Sequence, residues 1–103
     1  MAKEIEWTET SILDRFKIYQ FWVENNKSNS YSEKLERLFN DAAKLISEFP
    51  EIGTKTDYPD VKVKVIKSYK LFYLTQEDTI QIIRVWDTRQ DPDNLELPLL
   101  LLK

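Results

Sequence analysis

The stretch Asp60–Asp91, DVKVKVIKSYKLFYLTQEDTIQIIRVWDTRQD, decides the fold. Val61, Val63 and Val65 alternate with Lys62 and Lys64, the period-two pattern of a half-buried strand. Lys67-Ser68 makes a tight link into a second strand, Tyr69–Thr75, and Gln76-Glu77-Asp78 a hairpin loop into a third, Thr79–Trp86. Ile82-Ile83, flanked by Ile80 and Val85, puts apolar residues on both sides of that third strand and marks it as central. Alternation also sets Lys62 and Lys64 on one side of their strand and the valines on the other. With the valines turned to a core, the two lysines are expected on the sheet face away from any helices, in solvent.

Working outward toward the N-terminus, Glu4–Glu9 alternates with Ile5 and Trp7 on one face, a short strand. Thr10 or Ser11 is positioned to cap a following helix whose stripe is Ile12, Phe16, Tyr19, Trp22 and Val23. Asn25–Ser30 is a polar break. Ser30-Tyr31-Ser32-Glu33 has the S-x-x-E form of a capping box and opens a second helix. The stripe of that helix is Tyr31, Leu35, Leu38, Phe39, Ala42, Leu45, Ile46 and Phe49, and Pro50 ends it. So short a loop implies an antiparallel helical hairpin. Glu51–Pro59 reads as a connecting loop, Asp91–Asn94 as a turn, and Leu95–Leu102 as a short edge strand or an apolar tail that covers other apolar surface. The predicted fold is α+β, β-α-α-β-β-β, an antiparallel sheet with an α-hairpin packed on one face. It forms a single domain over 1–103, in which 95–103 is the apolar strand or tail.

Composition removes whole classes of chemistry. The chain has no histidine and no cysteine, which excludes histidine-based triads, thiolate metal sites and disulfides. A single glycine, Gly53, excludes the phosphate-cradling glycine loops. The five aspartates Asp57, Asp60, Asp87, Asp91 and Asp93 match no metal-ligand spacing and read as caps and turns, so neither metal nor cofactor is expected. The N-terminus lacks the charged and apolar regions of a signal peptide, and the longest apolar run is too short to span a bilayer, so a cytoplasmic protein without membrane contact is expected.

Charge is distributed unevenly. The net charge is −3, yet residues 54–90 carry +2, and four lysines (Lys62, Lys64, Lys67, Lys70) fall between Val61 and Gln76 with no acid among them. Such a strip on an acidic protein suits an anionic partner. The plainer reading is that these lysines are the solvated teeth of an amphipathic strand, or guards of a sheet edge. Trp7, Phe16, Trp22, Phe39 and Phe72 read as core aromatics, whereas Tyr73 and Trp86 lie beside the basic strip, where a base could stack.

Taken in order, Ile5-Glu6-Trp7, Phe49-Pro50-x-x-Gly53, the basic strand start at Lys62, Tyr69-Lys70-Leu71-Phe72-Tyr73 and Arg84–Asp91 resemble the RelE/ParE toxins of bacterial type II toxin–antitoxin modules. The resemblance implies a growth inhibitor restrained by a cognate antitoxin. RelE-like members cut mRNA in the ribosomal A site, and ParE-like members poison DNA gyrase. On the RelE-like pattern, Lys62 and Lys64 match a K-x-K, Lys70 the basic residue after tyrosine, and Arg89 a late arginine. The resemblance makes these four the catalytic candidates of a metal-independent endoribonuclease. Lys64 or Lys62 would be the base, and Lys70 and Arg89 the clamps on a developing phosphoryl anion. Lys67, Tyr73, Arg84 and Trp86 are the nucleic-acid-binding candidates. The leading expectation is ribosome-dependent mRNA cleavage. The alternatives are a non-enzymatic gyrase inhibitor and an inactive antitoxin-binding homologue. Leu95-Glu96-Leu97 stands where RelE-like enzymes carry a C-terminal tyrosine, and Asp87 where a related branch carries histidine, which favours a ParE-like mode or a weakened enzyme.

Overall fold

The computed structural model describes residues 2–90. Strand β1 (Glu4–Trp7) leads into helices α1 (Glu9–Asn26) and α2 (Ser30–Glu48). A two-residue strand β2 (Thr54–Lys55) follows, then β3 (Val61–Ile66), β4 (Tyr69–Thr75) and β5 (Thr79–Asp87). One sheet forms in the order β1-β5-β4-β3-β2, with β5 internal, as its doubly apolar sequence requires. The expected α+β hairpin-on-sheet architecture is present, with two differences. The sheet is mixed, because β1 runs parallel to β5, with Ile5 opposite Ile80 and Trp7 opposite Ile82. The loop read over Glu51–Pro59 contains β2, which pairs Thr54 with Val63 and Lys55 with Lys62. The apolar strand or tail expected at 95–103 lies outside the described residues.

Local capping also departs from the sequence reading. Thr8, not Thr10 or Ser11, caps α1: its hydroxyl accepts from the Ser11 N–H at 3.2 Å. No capping box forms at α2. Its N-cap is Asn29, and the Glu33 carboxylate instead accepts a 2.8 Å hydrogen bond from Tyr19.

The helices cover one face of the sheet. On that face Leu71, Tyr73, Ile80 and Ile82 pack with Ala43 and Ile46 of α2, and Tyr69 and Val85 pack with Leu35 and Phe39. The far face has its own buried cluster, Val61, Phe72, Leu74, Ile83 and Trp86. A bulge in β5 keeps both patterns in register. Tyr73 pairs with Ile82 and Phe72 with Arg84, leaving Ile83 as the extra residue.

Helix α1 is rotated from its predicted stripe. Ile12 and Phe16 are more than half exposed, whereas Ser11 is fully buried and Ile18 and Trp22 pack into the core. The reason lies in β5. Beyond Trp7, β1 no longer pairs with it, and α1 takes over that edge. Thr8 donates its N–H to Ile82 O (3.1 Å) and its hydroxyl to Ile83 O (3.3 Å), while Asp14 accepts the Val85 N–H (2.9 Å). Satisfying buried strand amides outweighs burying a methylene or two, so the polar side of α1 faces inward.

Candidate functional site

Cross-strand neighbours share a face, so the register locates the basic candidates that lie in strands. Lys62 lies opposite Tyr73 and Lys64 opposite Leu71, both residues of the helix-side core. The expectation that these lysines lie on the face away from the helices is therefore overturned, and it is the valines that turn to the far face. The Lys62 side chain is only 12% exposed, and its ammonium reaches Glu51 at 3.3 Å. A long cationic side chain can cover apolar surface in this way while its tip stays wet. Lys70, opposite Val65 and Trp86, is exposed on the far face. Lys67 occupies the left-handed position (φ 55°) of the β3–β4 turn.

Arg89 belongs to neither set. Its guanidinium makes a forked pair with Asp87, the shortest arm 2.6 Å, and lies 5.5 Å from the Phe21 ring centroid and 5.3 Å from that of Trp22. Arg89 holds the Asp87 carboxyl below its ordinary value, and Asp87 in turn pushes the guanidinium up. The four catalytic candidates thus divide between two sheet faces and a separate arginine–aspartate pair, and do not converge on one phosphate.

The nucleic-acid candidates divide as well. Tyr73 is fully buried, donating to Pro50 O at 2.8 Å and accepting from Gly53 N–H at 2.9 Å, so no base can stack on it. Burial pushes its phenol up, opposed by the Gly53 N–H. Gly53 is required there: a Cβ would come within 2.8 Å of Tyr73 Cε1. Trp86 is buried in the far-face cluster. Arg84 is held by Asp14, Nε at 2.8 Å and Nη2 at 3.1 Å, with its guanidinium 5.5 Å from the Trp86 ring centroid.

One end of the sheet gathers what the sequence reading separated. A cleft of about 330 Å³ opens between α1 and the end of β5, lined by Asp14, Lys17, Phe21, Tyr69, Arg84 and Asp87 among others. Trp22 Nε1 donates to the Tyr69 hydroxyl at 2.7 Å. Burial is the main reason the Tyr69 phenol is pushed up, and the Trp22 N–H opposes it. Asp14 organises this end and was missed from the sequence, because it lies 70 residues from Arg84 and interrupts no recognisable motif. Both of its carboxylate oxygens accept internally, so the cleft is a braced joint between helix and sheet. Lys64, Lys67 and Lys70 sit around the β3–β4 hairpin. Among the described residues no helix is long and apolar enough to cross a membrane.

Two helices on one side of a mixed sheet, with a basic hairpin, define a small α+β module. The fold matches a solved structure described as a chromosomal ParDE toxin–antitoxin system from P. aeruginosa, with a TM-score of 0.73 and 17% identity, covering 84% of this chain and 96% of that one. A comparison with curated proteins gave no match. The family model for the ParE toxin of the parDE type II toxin–antitoxin system matches residues 5–92. The chain belongs to the ParE toxin family: it is the toxin of a type II toxin–antitoxin system, and an antitoxin is its cognate partner. The RelE-like half of the sequence resemblance, with its ribosomal mRNA cleavage, finds no support in this match.

Proposed function

We propose that this toxin arrests growth by binding DNA gyrase, not by cutting RNA. The observation that carries the reading is the strand register: Lys62 and Lys64 share one sheet face and Lys70 the other. In-line phosphoryl chemistry needs cations preorganised around one phosphate, and side chains on opposite faces of a sheet cannot supply that. Membership of the ParE family supports the same reading, since a gyrase inhibitor needs only a docking surface. Lys64, Lys67 and Lys70 provide a local positive field at the hairpin end on an otherwise acidic protein. Such a field suits the DNA-bearing, anionic surface of a gyrase complex and steers association toward it.

The test is induction in cells with DNA replication and protein synthesis labelled separately. Replication should fail first, with mRNA intact. Arrest of synthesis first, with mRNA cut at codon boundaries, would return the ribonuclease reading.

A further inference from the structure

The sheet ends on β1, and part of that edge is open. Glu4 and Thr8 donate their N–H groups to Asp78 O (3.0 Å) and Ile82 O (3.1 Å), so the even-numbered residues of this segment serve β5. The odd-numbered ones point their main-chain groups outward. Lys3 is satisfied there by α2: its N–H donates to Ser47 O at 3.1 Å, and its carbonyl accepts from the Ser47 hydroxyl. Ile5 and Trp7 are not, and among the described residues neither has a main-chain partner on the outer side. Beyond Trp7 the chain turns into α1. Two N–H groups and two carbonyls therefore stand unmatched, one residue's pair about 7 Å from the other's, in a window bounded by Ser47 and by α1. We propose that this window docks an extended, lysine- or arginine-bearing segment of a partner protein, which adds as a further strand beside β1.

Charge selects the occupant. Ile5 and Trp7 pack toward the helix side, so Glu4 and Glu6 project from the other face, where both are exposed. The Gln81 amide donates to Glu6 at 3.1 Å and steadies its carboxylate. Two cations close in sequence or space are already engaged. Lys3 donates its ammonium to the Gln76 and Glu77 carbonyls, and Arg15, over the Trp7 ring, pairs with Glu36 at 2.7 Å. A strand laid along this edge sets alternate side chains beside Glu4 and Glu6, and cations at those places complete the pairs. Apolar residues between them meet Ile5 and Trp7, which are only half-buried. A second copy suits the window poorly. Antiparallel pairing of two β1 strands through both Ile5 and Trp7 sets Glu6 directly opposite Glu6 of the other copy, a like-charge pair. Docking of this kind is independent of the cellular target of the toxin.

The test titrates isotope-enriched full-length toxin with a capped peptide in which lysine alternates with valine, and separately with its glutamate counterpart. The lysine peptide should move the amide signals of Ile5 and Trp7 and slow their hydrogen exchange by about tenfold or more, leaving Lys55 on the opposite edge unchanged. The glutamate peptide should do neither. Glu4→Lys with Glu6→Lys should exchange the effects of the two peptides, and Glu4→Gln with Glu6→Gln should abolish the preference between them. No slowing at Ile5 and Trp7 with the lysine peptide in millimolar excess, or equal slowing by both peptides on the unaltered toxin, overturns the proposal. Exchange at these two amides that is already slow in the free toxin and quickens on dilution also overturns it, because a second copy then holds the edge.

Discussion

Asp14→Ala should remove the joint between α1 and β5. Its carboxylate accepts from Arg84 Nε at 2.8 Å, Arg84 Nη2 at 3.1 Å and Val85 N at 2.9 Å, with side-chain exposures of 12% for Asp14 and 15% for Arg84. Breaking one side of a buried pair typically costs about 3–5 kcal/mol, because the other charge keeps its desolvation penalty. Arg84 keeps its position near Trp86 and both groups retain some solvent, so the lower end, about 3 kcal/mol, is expected here. Domains of this size have roughly 5–15 kcal/mol in total, so the loss is a large share of stability. Urea unfolding followed by tryptophan fluorescence should show a lowered midpoint with an unchanged slope. Asp14→Asn, which can still accept the Val85 N–H, should fall between. A loss under about 1 kcal/mol would place the pair among ordinary surface ion pairs and refute the claim that Asp14 braces the joint.

Three further outcomes follow from the same geometry. Tyr73→Phe keeps the ring but strands the Gly53 N–H and Pro50 carbonyl, and should cost about 1–3 kcal/mol in the same urea assay. Gly53→Ala forces a methyl against the Tyr73 ring and should cost a similar amount, about 1–3 kcal/mol. For Asp87, the carboxyl is held below its ordinary 3.8 by Arg89. Its contribution is thus present above that value and lost as pH falls through the lower folded one, so Asp87→Asn should lower the melting temperature at pH 7 more than at pH 2.

The three strands of Asp60–Asp91 were legible because alternation and turn residues are local signals. What alternation did not reveal was which side carried the helices. Leu71, Tyr73, Ile82 and Val85 bury one face while Phe72, Leu74, Ile83 and Trp86 bury the other, so valine-in, lysine-out was a false guide for β3. Lys62, opposite Tyr73, resolves the conflict by pairing its ammonium with Glu51. The parallel pairing of β1 with β5 joins residues about 75 positions apart, and four alternating residues do not encode a partner. Helix α1 shows the same limit. Its apolar stripe is real but exposed, because Thr8, Ser11 and Asp14 serve the edge of β5. Of the site, the basic hairpin was visible in the sequence; its division between two faces and the Asp14 brace were not, since both depend on tertiary register.

The proposed action on gyrase by contact, without RNA cleavage, can be tested in one paired experiment. The most direct measurement adds purified full-length toxin to gyrase, relaxed plasmid and ATP, and in parallel to ribosomes translating a defined mRNA. Loss of supercoiling with intact mRNA is expected, and a weaker effect when Lys64, Lys67 and Lys70 are all replaced by glutamate. Cleaved mRNA at toxin concentrations that leave supercoiling untouched would contradict it.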